Sequence, residues 1–138
     1  MKSIYLLIAF ISLSLNGHSQ INPSEFGLNK TWAIVEWNKY TKEALVENNC
    51  SIFFNEKGVV FIYAGCNTIT GFIKKHTTDS ICFSRLGITK INCVKQREVE
   101  KNLVHDFQLI RTYTINANEV IFILEDKTTI KAVAEIKQ

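Results

Sequence analysis

Short runs of strand-forming residues, separated by turn signals every few positions, are the feature that most constrains how this chain can fold. The pattern is clearest in Cys50–Phe54 and Val59–Tyr63, which flank a turn where Gly58 can supply a positive φ. Runs this closely spaced favour antiparallel pairing, because parallel strands need long crossover connections. We predict strands at Leu28–Trp37, Cys50–Phe54, Val59–Tyr63, Ile69–Lys75, Ser80–Ser84, Thr112–Ile115, Glu119–Leu124 and Thr128–Ile136.

One stretch has a different period. Val99, Leu103, Phe107 and Ile110 recur at spacings of three and four, which places them on one face of a helix. We predict an amphipathic helix from about Gln96 to Leu109, and assign the charged residues Glu98, Glu100, Lys101 and Asp106 to its solvated face. The polar stretch Asn38–Asn49 is expected to be a long connection or a poorly paired strand.

The predicted fold class is therefore α+β. About eight short strands in so short a chain suggest a strongly curled antiparallel sheet or partial β-barrel, with one amphipathic helix covering an opening. With 138 residues, 46% of them hydrophobic, the chain is expected to form one domain over residues 28–138. Trp32 is expected in the core and Trp37 at its rim.

The first nineteen residues have the pattern of a signal peptide. Lys2 precedes the apolar run Ile4–Ile11, and the small residues Gly17 and Ser19 suit cleavage before Gln20. A transmembrane anchor needs about 20 apolar residues, and this run is too short. No cysteine follows the run closely, so no lipid anchor is expected. We interpret residues 1–19 as a signal peptide, residues 20–27 as a leader, and the protein as exported to the periplasm or the extracellular space.

Charge and cysteine spacing argue against nucleic-acid binding and against a metal site. The net charge of +3 comes from basic residues interspersed with acids, which does not indicate nucleic-acid binding. In an oxidising compartment the four cysteines suggest disulfides, with three possible pairings. Alternation places Cys50 inward and Cys82 outward, which argues against a bond between these two, whereas a different strand register would permit it. No Cys-x-x-Cys motif is present, and we expect no metal site or cofactor.

The order of motifs resembles the META domain (HslJ-like) family over roughly Leu28–Val133. Asn92 and Ile91 stand where that family usually has alanine and methionine. The residues that carry the resemblance are Thr31-Trp32, Phe54–Gly58, Gly65-Cys66-Asn67, Gly71, Ile81-Cys82-Phe83, Thr89-Lys90-Ile91-Asn92-Cys93, Glu100, Phe107 and Tyr113.

The resemblance implies a compact α+β fold in bacterial envelope proteins linked to heat stress and antibiotic tolerance, without a known reaction. It also implies a disulfide between Cys66 and Cys93 and makes Gly65, Asn67 and Thr89 motif residues. We expect Gly65 to permit a tight turn and Asn67 to bond local backbone groups.

No catalytic constellation is recognisable. The histidines of the mature chain, His76 and His105, have no spacing that ties them to Cys66, and both are expected on the surface. We therefore interpret the protein as a non-catalytic, exported module for binding or stress tolerance, with an envelope protein or a small ligand as partner. A lipocalin-like ligand carrier is the alternative, based on Gly27 and Trp32 ahead of many strands. A cysteine-dependent enzyme is a second alternative.

The signal-peptide interpretation predicts that the exported protein begins at Gln20. Mass spectrometry of the intact protein from the envelope fraction measures this directly. A protein that keeps its apolar segment and stays with membranes after a carbonate wash would contradict the prediction.

Overall fold

Antiparallel strands curl into a nearly closed barrel, which confirms the predicted α+β class. The computed structural model describes residues 27–135. The strands are β1 (Thr31–Trp37), β2 (Ser51–Phe54), β3 (Val59–Tyr63), β4 (Thr68–His76), β5 (Ile81–Phe83), β6 (Gly87–Ile88), β7 (Ile110–Ile115), β8 (Glu119–Leu124) and β9 (Thr129–Ala134). The helices are α1 (Lys42–Glu47) and α2 (Arg97–Gln108).

Two meanders make up the sheet, whose order is β5-β4-β3-β2-β1-β9-β8-β7, with β6 beside β4. The first and last strands join the meanders, with Trp32 opposite Ala134. The barrel closes between β5 and β7 through a single bridge of Ser80 with Thr112. Next to it, the Tyr113 amide donates to the Asp79 carbonyl at 2.9 Å. This seam is the weakest pairing around the barrel.

Side chains fill the interior of the barrel. The rings of Phe83 and Phe122 contact each other, and each also contacts Phe54 and Phe107, at centroid distances of 5.7–6.4 Å. Trp32 is also buried there. A lipocalin-like carrier needs this space for its ligand, so the packed aromatic cluster disfavours that alternative.

The helix α2 buries the apolar face that its sequence period predicts. Leu103 and Phe107 are fully buried and Val99 nearly so. The assignment of all its charged residues to solvent was wrong, because Glu100 and Asp106 are only 3% and 2% exposed. Both acids point toward the barrel and find partners there, as described below.

The short helix α1 corrects the expectation that the stretch Asn38–Asn49 is a long connection or a poorly paired strand. Thr41 caps this helix by accepting a hydrogen bond from the Ala44 amide at 3.3 Å. Leu45 is its one buried residue. A helix of six residues with one buried apolar side chain shows too little hydrophobic periodicity to be predicted from the sequence.

Several sequence predictions lie outside the described residues. These are the signal peptide at residues 1–19, its cleavage site, and the leader up to residue 26. Within residues 27–135 the structure has no helix that is long and apolar enough to cross a membrane.

Replacing Phe107 by Ala should lower the free energy of unfolding by about 3–5 kcal/mol, because the ring is fully buried against the rings of Phe83 and Phe122. Chemical denaturation measures the change. Lys101→Ala, on the exposed face of the same helix, is the control and should change stability by less than about 0.5 kcal/mol. A similarly small effect of Phe107→Ala would contradict the packing described here.

Candidate functional site

Asn67 is the centre of the site to which the motif residues converge. It follows β3 at the point where the chain turns into β4, and its side chain is 4% exposed. Its Oδ1 accepts hydrogen bonds from the Ile91 amide and the Thr89 hydroxyl, both at 2.8 Å. Its Nδ2 donates to the Ile91 carbonyl at 3.1 Å. The expectation that Asn67 bonds local backbone was wrong, because these partners lie more than twenty residues away.

Glu100 completes this arrangement from the first turns of α2. Its Oε1 accepts from the Asn67 backbone amide at 2.5 Å, and its Oε2 accepts from Asn67 Nδ2 at 2.9 Å. The buried carboxylate is therefore held by two donors of a single residue. This contact ties the helix to the strand exit before β4.

Thr89 holds the segment between β6 and α2 against the same strand. Its hydroxyl donates to Asn67 and accepts from the Thr68 amide at 3.0 Å. The Thr89 amide donates to the Thr68 carbonyl at 3.1 Å. A single side chain thus satisfies polar groups of both segments, which explains a threonine at this position.

Gly65 sits where two other loops approach the backbone. Its φ is 101°, a region that side chains with a Cβ rarely adopt. A Cβ built there would lie 2.9 Å from the Gln96 side chain and 3.0 Å from Asn48 Oδ1. The structure thus supports the role expected for Gly65 as a tight turn.

Cys66 and Cys93 form a disulfide, the pairing that the family resemblance implies. Their Cα atoms are 6.3 Å apart, and both residues are partly buried. The bond encloses a segment with a sequence separation of 27. A loop of this size is expected to add about 3–4 kcal/mol of stability in the chain-entropy model.

The disulfide and the Glu100 carboxylate together contain the atom types of a metal site, but the sulfurs are not available as ligands. The sulfurs of Cys66 and Cys93 and a carboxylate oxygen of Glu100 lie within 4.8 Å of one another. A zinc site needs thiolates, and here both sulfurs are joined in a covalent bond. The Glu100 carboxylate is also bonded to Asn67. We therefore assign these residues to stabilisation of the fold.

A second buried acid fixes the other end of α2. Asp106 accepts hydrogen bonds from Trp37 Nε1 at 2.8 Å, Lys39 Nζ at 2.7 Å and His105 Nδ1 at 2.9 Å. Burial acts to raise the pKa of Asp106, but the donors and the Lys39 charge together lower it below its usual value of 3.8. Trp37 is only 3% exposed, so the expectation that it lies at the rim was wrong.

The two histidines His76 and His105 differ in how far their side chains are exposed. His105 is largely exposed, as expected. His76 is partly buried, and its Nε2 lies 2.7 Å from the Tyr113 hydroxyl, which itself donates to the Thr77 carbonyl at 2.9 Å. The expectation of a solvated His76 was wrong, because its ring stacks on Tyr113.

Cys50 and Cys82 are the two free cysteines. Cys50 is buried, and burial raises the pKa of its thiol from 9.0 to about 11. It is therefore a poor nucleophile. Cys82 is partly exposed and lines a surface groove at the seam of the barrel. The sequence resemblance gave no sign of this groove.

One comparison with known proteins concerns the family of this chain, and the others concern its fold. The family model described as "META domain" matches residues 25–136. A protein from Burkholderia xenovorans, solved by NMR, is similar with a TM-score of 0.60 and 14% identity, over 80% of this chain and 84% of that one. A crystal structure of a duf4847 family protein from Bacteroides vulgatus is similar with a TM-score of 0.58 and 14% identity, over 79% and 94% of the two chains. No match is found among curated proteins.

Replacing Asn67 by Asp should lower the free energy of unfolding by about 3 kcal/mol or more. The change keeps the shape but removes the Nδ2 donor and places a second carboxylate against buried Glu100. Thermal and denaturant unfolding at pH 7 measure the loss. Asn92→Asp is the matched control, because Asn92 is exposed in the same segment. Equal stability of the two variants would show that Asn67 does not hold the helix.

Proposed function

Because this chain belongs to the META domain family, we propose that it is an exported, non-catalytic module of the bacterial envelope. It acts by binding a small ligand or another envelope protein, and it contributes to tolerance of stress. One observation carries the proposal: the motif residues are fully engaged in holding α2 on the barrel. Asn67 and Glu100 bond each other, and Cys66 is bonded to Cys93.

Catalysis at the motif would need a free nucleophile beside a base. The disulfide removes both motif thiols, and the Glu100 carboxylate already accepts from Asn67. Cys50 is buried with a raised pKa. Cys82 is thus the one thiol to which a cysteine-dependent mechanism can be assigned, and this makes the alternative easy to test.

Export is supported by the disulfide and by the signal-peptide pattern of residues 1–19. Disulfides persist in oxidising compartments such as the periplasm and are rare in the cytosol. The Cys66–Cys93 bond joins the strand exit to the segment before α2. The bond can therefore stabilise this segment only in an oxidising compartment.

We expect a strain that lacks this protein to survive heat shock less well than its parent. Expression of the intact chain, or of the Cys82→Ser variant, should restore survival, because the proposed role needs no thiol chemistry. A chain without residues 1–19 should fail to restore survival, because it stays in the cytosol. Colony counts after heat shock and immunoblots of cell fractions measure these outcomes.

Protein level is the necessary control for this comparison. Cys66→Ser should reduce the amount of folded protein, whereas Cys82→Ser should leave it unchanged. A Cys82→Ser variant that accumulates normally and still fails to restore survival would refute the non-catalytic role. Full restoration by the chain without residues 1–19 would refute export.

A further inference from the structure

The seam between β5 and β7 opens into a surface groove. Beyond the bridge of Ser80 with Thr112 the two strands are no longer paired, and a space of about 540 Å³ lies between them. This is within the usual size range of small-molecule sites, which is about 300–1,000 Å³. Cys82 and Phe83 form part of one wall, and Thr112 and Gln108 part of the other.

The groove is lined with positive charge. Lys74, Lys75 and Arg111 line it, and no acidic residue does. The two lysines are exposed, and the described part of the chain shows no ion pair for either of them. Arg111 pairs with Glu125 through one amino group, while its other amino group donates to the carbonyls of Gln108 and Ile110 at 2.9 and 2.8 Å. Like charges gathered in this way repel one another unless an anion lies between them.

A bulge in β4 places Lys74 and Lys75 on the side of the strand that faces the groove. The pairing register of β4 with β5 shifts between Ile73 and Lys75, so that Lys74 is an extra residue of a bulge. In a regular strand adjacent side chains point to opposite faces, and one of the two lysines would turn toward the core. Lys75 is paired directly with Cys82, which places this charge beside the thiol.

Two acids adjoin the groove, and neither forms an ion pair with Lys74 or Lys75. Asp79 accepts from the hydroxyls of Thr77 and Ser80 at 3.0 and 3.1 Å. Glu125 is the partner of Arg111. Among the residues that the structure describes, the charges of the two lysines are therefore unpaired, and Thr112 and Gln108 add a hydroxyl and an amide to the lining of the same groove.

We propose that this groove binds a small soluble anion with a phosphate or carboxylate group, held over Cys82 by Lys74 and Lys75. The proposal rests on the binding role proposed above and gives it a location and a ligand class. Thr112 and Gln108 offer hydrogen bonds to the remaining oxygens of the anion. Cys82 lies within the groove and serves as its natural reporter, since the other free thiol is buried.

The first test measures the charge of the groove through Cys82. Two methanethiosulfonate reagents, one with a sulfonate group and one with a trimethylammonium group, react with this thiol at low ionic strength, where screening is weak. The ratio of anionic to cationic rate should fall about fivefold or more in Lys74→Gln/Lys75→Gln. The double variant Lys30→Gln/Lys42→Gln carries the same charge change on the opposite side of the barrel and should keep the ratio.

The second test measures binding itself. Inorganic phosphate and succinate should slow the reaction of Cys82 with uncharged iodoacetamide in a saturable way, and sodium chloride at equal ionic strength should not. The protection should be lost in Lys74→Gln/Lys75→Gln and kept in Lys30→Gln/Lys42→Gln. Cys82→Ser, which should take up no label in the native state, identifies the reacting thiol.

Three outcomes would overturn the proposal. These are equal rate ratios in the two double variants, equal effects of phosphate and chloride, or protection only by vesicles of phosphatidylglycerol, which would indicate a lipid surface instead. Circular dichroism melts confirm that all variants are folded. A groove that fails these tests leaves the heat-survival result unaffected, so the two proposals fail independently.

Discussion

The contact of Glu100 with Asn67 is the interaction on which the rest of the structure depends. A carboxylate out of contact with water is strongly destabilising unless donors surround it, and here one asparagine supplies both a backbone and a side-chain donor. Hydrogen bonds to a charged group contribute about 1.5–3 kcal/mol each. Because Asn67 also binds Ile91 and Thr89, the helix, the loop before it and the strand exit form one unit.

The helix α2 is held at its two ends by different chemistry. Near its start the disulfide and Asn67 act together, so this end depends on oxidation. Near its end Asp106 is bonded to Trp37 and Lys39. Since the pKa of Asp106 is lowered in the folded state, its contribution is present above about pH 4 and is lost as the pH falls through the lowered pKa.

The sequence predicts the repeating parts of the fold better than the site. Strand alternation and turn residues identify the hairpins, and the spacing of Leu103 and Phe107 identifies the buried side of α2. Glu100 precedes these residues by three and seven positions, and therefore lies on the same side. Its charge predicted a solvent-exposed side chain instead. The partner that permits its burial, Asn67, is 33 residues away in the sequence. Long-range partners of this kind leave no local pattern.

The groove at the seam between β5 and β7 also could not be predicted from the sequence. Lys74 and Lys75 read as an ordinary charged strand end, and only the register shift in β4 shows that both point outward. Arg111 comes to the groove from β7, far along the chain. A bulge and an incomplete barrel closure are properties of pairing between strands, which a single sequence does not reveal.

The pairing of the first strand with the last has a consequence for how the chain folds. The meander β1–β5 can form from neighbouring segments, but one edge of β1 has no partner until β9 has been synthesised. Contacts between such distant segments make folding slow, because a long loop must close before they form. The unpaired edge of β1 is then open to pairing with other chains, so holding the polypeptide unfolded until its last strand is available protects it from aggregation.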